Sequence, residues 1–203
     1  PMPEVVETFV SEYALKPKDF IGLTPKLLIE EGERVKAGTP LFYAKGKEKV
    51  LFTSPISGVV KQVKRGEKRV IEEVIISADE TIEYLDFGIS SISELNAEQI
   101  KEKLLISGAW TLLRQRPYSV VPNPDTTPKC IIVSGFSSAP LAPDYSILLK
   151  GLGAELQVGV DALKKMTGVT IHVNVPSQNV RAEELSKLQN VQINRSEERR
   201  VGK

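Results

Sequence analysis

Two short motifs in the first third of the chain constrain its fold more than any other feature. They are Gly32-x-x-Val35-x-x-Gly38-x-x-Leu41 and Ser54-Pro55-x-Ser57-Gly58-Val59-Val60. Each sets glycine beside a short apolar run, and glycine accepts the positive φ angles that tight turns demand. This repeated strand-turn-strand pattern predicts a small sandwich of short strands over residues 1–90.

The strands of this predicted sandwich are short apolar runs between turn residues. The predicted strands are Glu4–Val10, Leu27–Ile29, Leu41–Ala44, Val50–Thr53, Ser54–Val63 and Val70–Ser77. The last run alternates poorly between apolar and polar residues, so we expect it to be buried on both faces.

Residues 91–128 predict a connector that begins with a helix and ends in a proline-rich segment. Apolar residues three to four apart favour a helix over Ser93–Leu105, which Asn96 or Ser93 could cap. The prolines at positions 122, 124 and 128 prevent regular strand pairing, so we expect a domain boundary there.

Residues 129–194 alternate between strand-like and helix-like segments, which implies a parallel sheet. The predicted strands are Cys130–Ser134, Val169–Val175 and Val191–Ile193, and the predicted helices are Val160–Met166 and Ala182–Leu188. The charged segment 195–203 fits neither pattern, so we expect it to be a non-native tail or the mark of a truncated open reading frame.

Composition excludes several classes of function. A formal net charge of +1 leaves no basic footprint for nucleic acid. One cysteine, Cys130, and one histidine, His172, exclude an internal disulfide and a multi-thiolate metal site. We expect Cys130 to be a buried small apolar residue and His172 a hydrogen-bonded strand residue. No apolar run approaches the roughly 20 residues of a membrane-spanning helix.

Two segments need to be weighed as ligand sites. Lys47 precedes Gly58 by eleven residues, roughly where carrier domains of the sandwich type attach biotin or lipoate. Its neighbours Gly46 and Glu48 favour a solvated charged hairpin instead. The small-residue loop 134–143 follows a predicted parallel strand, where α/β sheets bind ligands. Its two prolines remove amide donors that a phosphate would use, which favours a packing or partner role.

A third segment, Ser107–Pro122, contains the only tryptophan, Trp110, followed by Arg114 and Arg116. Tryptophan and arginine are favoured interface anchors, so one interpretation is contact with a partner protein or an anionic group. The other is a linker that Trp110 packs onto the sandwich, with its arginines solvated or paired. The sequence leaves both interpretations open. It shows no catalytic residue set and no set of metal ligands.

Residues 20–194 resemble the NqrA family, specifically the N-terminal portion of the A subunit of the bacterial Na+-translocating NADH:quinone reductases. The stretches that carry the resemblance are Thr53–Gly58, Arg65–Val70, Ser107–Trp110, Arg114–Ser119 and Val121–Pro122. It implies a biotinyl/lipoyl-like barrel-sandwich hybrid followed by a Rossmann-like α/β domain, the latter similar to the flavin subunit of respiratory complex I. It also implies that the flavin and NADH site of that domain is lost.

The resemblance further implies a peripheral subunit on the cytoplasmic side of the bacterial inner membrane. Such a subunit is a scaffold associated with the quinone site, docked on other subunits that include the membrane-embedded B subunit. NAD, FAD, FMN, iron–sulfur centres and ubiquinone would belong to the complex, and this chain would hold no redox cofactor. Trp110, Arg114 and Arg116 would be partner or quinone-site contacts. The alternatives are a free-standing biotinyl/lipoyl-type carrier module and a nucleotide-binding α/β protein.

Overall fold

The computed structural model describes residues 8–137, 139–176 and 183–196. These residues form two compact units, which are described separately. The first combines the described part of Pro1–Ile89 with Glu102–Asp125, and the second combines Ser90–Lys101 with the described part of Thr126–Lys203. The first unit therefore takes in most of the segment between the predicted sandwich and the predicted α/β region.

The first unit contains two antiparallel sheets of short strands. Its strands are β1 Glu12–Leu15, β2 Pro25–Leu27, β3 Arg34–Val35, β4 Pro40–Ala44, β5 Lys47–Thr53, β6 Gly58–Arg65 and β7 Ile71–Ala78. One sheet has the order β1-β7-β6-β3, and the other has the order β2-β4-β5. From Leu27 onward, each predicted strand corresponds to a strand in the structure, and the ends differ by a few residues. Of the predicted strand Glu4–Val10, residues 4–7 lie outside the described residues and 8–10 are not in a strand.

Both sheets of the first unit contribute fully buried side chains. Fully buried residues come from each of them, and they are Val35, Leu41, Phe42, Val50, Phe52, Val60, Val74 and Ile76. Phe42 and Phe52 face each other across β4 and β5, with ring centroids 4.9 Å apart. Because the buried side chains of both sheets belong to the same compact unit, we infer that the two sheets enclose a single core.

The prediction that the last strand is buried on both faces is wrong. In β7, Ile71, Val74 and Ile76 are buried, whereas Glu73 and Ile75 are only half-buried. The alternation is irregular because the pairing register with β6 shifts between Lys64 and Arg65. Because of this shift, the apolar residues of β7 do not alternate regularly in the sequence, although the strand has one buried face and one partly solvated face.

The Ser-Pro-x-Ser-Gly motif forms a buried corner between the two sheets. Ser54 and Ser57 are 3% and 1% exposed. The Ser57 hydroxyl accepts a hydrogen bond from the Glu83 amide at 2.9 Å, and its carbonyl accepts one from the Asp79 amide at 3.0 Å. Gly58 follows with φ +157°, and a Cβ there would lie 1.9 Å from the Ser77 carbonyl oxygen. The motif therefore holds the segment after β7 against the corner.

A lysine cluster surrounds one carboxylate at the end of the four-stranded sheet. The ammonium groups of Lys16 and Lys64 lie 3.4 Å and 3.7 Å from the Glu73 carboxylate oxygens. Desolvation alone would raise the pKa of Glu73. The hydrogen bond from Lys16 and the charges of Lys64, Lys16 and Lys18 outweigh it, so the pKa of Glu73 lies below its ordinary value.

The second unit contains a three-stranded parallel sheet, which confirms the predicted α/β alternation. Its strands are β8 Cys130–Ser134, β9 Thr170–Pro176 and β10 Gln192–Ser196, in the order β10-β9-β8. Helices α2 Tyr145–Leu148, α3 Gly153–Thr167 and α4 Glu183–Ser186 lie between them in the chain. Strand β10 includes Arg195 and Ser196, the first two residues of the expected tail, and residues 197–203 lie outside the described residues.

One face of this parallel sheet carries the core of the second unit. Val160 of α3 and Leu185 of α4 pack with Ile171, Val173 and Val175 of β9. Helix α3 begins at Gly153, seven residues before the predicted start, because the glycine-flanked segment continues the helical spacing of apolar residues. The core thus comes from the alternate strand residues that face α3 and α4.

Helix α1 Ala97–Ile106 begins with reciprocal capping bonds that the sequence had indicated in part. The Asn96 side chain accepts a hydrogen bond from the Gln99 amide at 2.9 Å, and the Gln99 side chain accepts one from the Asn96 amide at 2.8 Å. Asn96, not Ser93, is therefore the capping residue. Among the described residues, no helix combines the length and the apolarity that crossing a bilayer requires.

Gly58→Ala is expected to lower the free energy of unfolding by at least about 2 kcal/mol, because the new Cβ would collide with the Ser77 carbonyl. Gly46→Ala is the matched control, since Gly46 also has a positive φ, +80°, but its Cβ would meet no atom within 4 Å. Urea titration of both variants measures the difference. Equal losses for the two would contradict the close approach at Gly58.

Glu73→Gln is expected to make unfolding less sensitive to acid. Because the folded-state pKa of Glu73 is lowered, its stabilising contribution is present above the unfolded-state pKa of about 4.3 and disappears as pH falls through the folded-state pKa. The stability difference between wild type and variant should therefore shrink on acidification below about pH 4.3. Thermal melts across the acid range check this, and a difference that grows on acidification would disprove it.

Candidate interaction site

The segment after α1 is fixed to the sandwich by a glycine contact. Gly108 has φ +77°, and a Cβ there would lie 2.3 Å from the Thr53 hydroxyl of β5. The same hydroxyl donates a hydrogen bond to the Ser107 carbonyl at 3.3 Å. The Ser-Gly-x-Trp stretch therefore brings backbone against β5 at a point where a larger residue would not fit.

Trp110 lies inside the first unit. Its side chain is 5% exposed, and its indole Nε1–H donates a hydrogen bond to the Pro122 carbonyl at 3.0 Å. The Thr111 hydroxyl donates to the Gly108 carbonyl at 2.7 Å and closes the turn. Trp110 thus ties both ends of the segment 110–122 together, as the packing interpretation of this residue predicts.

The segment between Trp110 and Pro122 forms a solvent-exposed loop. We define the Arg loop as residues 112–119. It is closed by a hydrogen bond from the Gln115 amide to the Val120 carbonyl at 2.8 Å. Leu112 and Tyr118 are 79% and 74% exposed. The Arg loop therefore presents two large side chains to solvent, and the hydrogen bond of Trp110 to Pro122 joins the segments on either side of the loop.

The two arginines of the Arg loop are exposed and bonded differently. Arg114 donates hydrogen bonds to the Thr111 and Leu113 carbonyls, and its guanidinium lies 5.3 Å from the centre of the Phe20 ring. Arg116 donates to the Ser119 hydroxyl at 2.6 Å. In the described part of the chain, neither guanidinium forms an ion pair. Both therefore keep donors available to an external acceptor.

All charged residues in the sequence around the Arg loop, residues 103–124, are basic. Between Glu102 and Asp125 the chain contains no acidic residue, but it contains Lys103, Arg114 and Arg116. The packing interpretation therefore fits Trp110, and the interface interpretation stays a prediction for the two arginines. Trp110 packs inside the unit, whereas the arginines lie at its surface beside exposed apolar side chains.

Lys47, the lysine weighed as a carrier site, lies beside the same segment. It is the first residue of β5, after a tight turn at Lys45 and Gly46, and it is half-buried. Its ammonium lies 3.5 Å from the Val121 carbonyl oxygen. A carrier lysine needs free access for a swinging arm, and this position limits that access.

In the described part of the loop 134–143 of the second unit, Gly135 is not free to form part of a phosphate cradle. The Gly135 amide donates a hydrogen bond to the Asn174 carbonyl at 2.8 Å, so it is not available to a ligand. A Cβ on Gly135 would lie 2.6 Å from Leu185 Cδ1, so the space at the glycine is filled by protein. Gly135 therefore offers neither a free amide nor open space to the nucleotide site that the position of the loop predicts.

Cys130 and His172 occupy the face of the parallel sheet opposite the core. His172 is half-buried, and its Nδ1 lies 3.2 Å from the Asn194 side-chain amide, as expected for a hydrogen-bonded strand residue. Cys130 is exposed, which contradicts the expectation that it is buried. Cys130 is the first residue of strand β8. The sequence of β8 is apolar at successive positions, which suggested burial on both faces, but only Ile131 and Val133 pack on the core. In the described parts of the chain, no group of His, Cys, Asp or Glu side chains is placed to hold a metal ion.

The sequence pattern identified Trp110, Arg114 and Arg116. It did not identify Phe20 and Thr53 as residues that contact this segment. Phe20, Thr53 and the Pro122 carbonyl come from three separate segments of the chain. Of these contacts, only the proline of the Val121–Pro122 stretch stood out near the tryptophan in the sequence. A contact between residues far apart in the chain has no local pattern.

Comparison with known proteins gives two family matches. The NqrA N-terminal barrel-sandwich hybrid domain matches residues 4–79, and the NqrA second alpha/beta domain matches residues 95–197. These confirm the predicted barrel-sandwich hybrid and the α/β class of the second domain. The second match starts before α1, although residues 102–125 pack in the first unit.

Three curated relatives are each named as the A subunit of Na(+)-translocating NADH-quinone reductase. The protein from Serratia proteamaculans is 37% identical over 168 residues, covering 81% of this chain and 37% of the relative. Those from Neisseria gonorrhoeae and Pseudomonas aeruginosa are 35% and 38% identical, covering 84% and 79% of this chain. The chain spans only 36% to 40% of the length of these three relatives.

Trp110→Ala is expected to lower the free energy of unfolding by about 3 kcal/mol or more, because it removes a buried aromatic ring and leaves the Pro122 carbonyl unpaired. Leu112→Ala, two residues further on, is the matched control and should change it by no more than about 0.5 kcal/mol, because its side chain is exposed. Denaturant unfolding followed by circular dichroism compares the two. A neutral Trp110→Ala would show that the indole does not hold the Arg loop.

Proposed function

The chain belongs to the NqrA family, the A subunits of the Na(+)-translocating NADH-quinone reductases, and we propose that it is the front part of such a subunit. In this role it is a peripheral scaffold, associated with the quinone site of a sodium-pumping NADH:ubiquinone oxidoreductase. The observation that carries the proposal is the identity of 35% to 38% to NqrA relatives across about four fifths of the chain. Both domain matches agree with it.

The proposed role needs no redox group in this chain. NAD, FAD, FMN, iron–sulfur centres and ubiquinone are assigned to the complex as a whole. The second unit supports this assignment, because the Gly135 amide and the space around it are used by the protein itself. We further propose that this unit is a Rossmann-like relative of the flavin subunit of complex I that has lost its flavin and NADH site.

The proposed partners are the other subunits of the complex, including the membrane-embedded B subunit, on the cytoplasmic side of the bacterial inner membrane. The Arg loop is the proposed contact with a partner or with the quinone site. Its support is the exposure of Leu112 and Tyr118 beside two guanidinium groups that form no ion pair in the described part of the chain. Trp110 has an indirect role, because it positions the loop.

The carrier and nucleotide-binding alternatives are less well supported. The crowded position of Lys47 disfavours a swinging arm, and the loop 134–143 lacks a free amide at its glycine. The mass of the intact chain tests the first alternative, since biotin or lipoate on Lys47 would add a defined mass. Titration with NADH or FMN tests the second, for which we expect no rise in melting temperature.

Co-purification is the direct test of the proposed function. A tagged full-length protein that contains this sequence should be recovered from detergent-solubilised membranes together with the other subunits of a quinone reductase. The isolated 203-residue chain should show neither flavin absorbance nor NADH oxidation. Recovery of the full-length protein without partners, or flavin bound to the isolated chain in equal amount, would contradict the proposal.

Arg116→Ala in the full-length complex is expected to weaken either assembly or quinone reduction about tenfold, because arginine anchors at interfaces typically contribute more than about 1 kcal/mol. Lys26→Ala is the control, since Lys26 is also exposed and lies in β2. Subunit recovery and the KM for quinone are measured separately. If Arg116→Ala and Lys26→Ala behave alike, the Arg loop is not the contact.

A further inference from the structure

The Arg65–Val70 stretch, which carries part of the family resemblance, has no role in the function proposed above. It forms the turn between β6 and β7. The Gly66 amide donates a hydrogen bond to the Val70 carbonyl at 2.8 Å, and the Val70 amide donates to the Glu67 carbonyl at 3.2 Å. We define the basic hairpin end as residues 64–70.

The backbone of the basic hairpin end turns its charged side chains outward. Lys68 and Arg69 both have positive φ angles, +54° and +59°, although neither is glycine. Arg65, Lys68 and Arg69 are exposed, and none of them forms an ion pair in the described part of the chain. Val70, next to them, is 58% exposed. The turn therefore presents three exposed cations around one apolar side chain.

Neighbouring strands add further cations at the same end of the sheet. Leu15 of β1 pairs with Val74 of β7, so Lys16 follows beside Glu73, and Lys64 pairs with Glu73 across the hairpin. Lys18 is close enough to act on the Glu73 charge. Lys16, Lys18 and Lys64 thus join the three exposed cations of the turn.

Acidic groups at this end offset only part of the positive charge. Glu73 is held between Lys16 and Lys64, and the Glu72 carboxylate lies against Gly66. Glu67 lies in the turn, and Asp19 follows Lys18 in the chain. The Glu31 carboxylate also lies at this end, since it accepts a hydrogen bond from the Val63 amide at 2.7 Å. The excess of positive charge therefore lies in residues 64–70 themselves, which contain four basic residues and one acidic residue, Glu67.

We propose that the basic hairpin end, together with Lys16 and Lys18, docks on the anionic headgroups of a phospholipid surface. Groups of four to eight basic residues near a bilayer are attracted to anionic lipid, with each worth about 1 kcal/mol, and one exposed apolar side chain at the tip adds interfacial burial. The inference rests on the proposed function in one respect: a membrane complex places the chain within reach of lipid. An acidic protein is the competing occupant, and the experiment separates the two.

The experiment is co-sedimentation of the purified chain with vesicles. One set contains phosphatidylcholine alone, and the other contains about one third phosphatidylglycerol, where basic clusters bind anionic surfaces. We expect binding only to the second set, and we expect high salt to abolish it. Equal binding to both sets, or binding to neither, would overturn the proposal.

The test variant is Arg65→Gln combined with Lys68→Gln and Arg69→Gln, expected to weaken vesicle binding at least about tenfold. The matched control is Lys26→Gln combined with Lys45→Gln and Lys49→Gln, which removes the same charge from exposed positions in the other sheet and in the turn between β4 and β5. The control should retain binding. Equal losses in both variants would show that net charge alone is responsible, and would overturn the proposal.

Val70→Ser gives a second readout that leaves the charge unchanged. It should weaken vesicle binding roughly threefold to tenfold, because it removes apolar area from the tip. Thermal melts show that each variant is folded. Beads coated with polyglutamate serve as the acidic-protein probe, and binding to these beads without binding to vesicles would overturn the proposal in favour of a protein partner. Because the assay contains only the chain and lipid, its failure would leave subunit co-purification unaffected.

Discussion

The first unit depends on the close approach of backbones at the buried corner of Ser57 and Gly58. Gly58 brings the start of β6 against the Ser77 carbonyl, where no Cβ fits. Ser57, 1% exposed, uses its hydroxyl and carbonyl to hold the amides of Glu83 and Asp79. A buried polar group is tolerable only when it is hydrogen-bonded, so these bonds and the corner are mutually dependent. They stabilise the four-stranded sheet at one end.

A second glycine, Gly108, brings the backbone of the segment after α1 close to strand β5. Gly108 lies against Thr53, and Trp110 bonds to Pro122, so the Arg loop projects from a rigid base. Rigid support matters for recognition, because a preorganised loop loses less conformational entropy on binding. The segment 102–125 packs with the first unit, although the family match to the second domain begins at residue 95. Sequence-family boundaries and packing boundaries therefore differ here.

The two proposed contacts of the first unit have different chemistry. The Arg loop combines two arginines with Leu112 and Tyr118 and suits a shaped protein or quinone site. The basic hairpin end has two lysines and two arginines beside a single exposed valine, and it suits a diffuse anionic surface. The second unit contributes an α/β sheet whose glycine loop is occupied by its own chain. Together these features are consistent with the scaffold role that we propose.

The sequence by itself determined the elements with strong local patterns. Glycine spacing predicted the sandwich, alternation predicted the parallel sheet, and Asn96 and Ser93 were the two candidate caps of α1, because turns, strand alternation and caps are local in the chain. The tertiary structure alone decided which residues are buried. Cys130 is exposed because it lies on the face of the parallel sheet opposite the core, Trp110 is buried where its indole bonds to Pro122, and the buried positions of β7 alternate irregularly because its register with β6 shifts. Burial depends on neighbours that are distant in the chain, and local spacing carries no information about them.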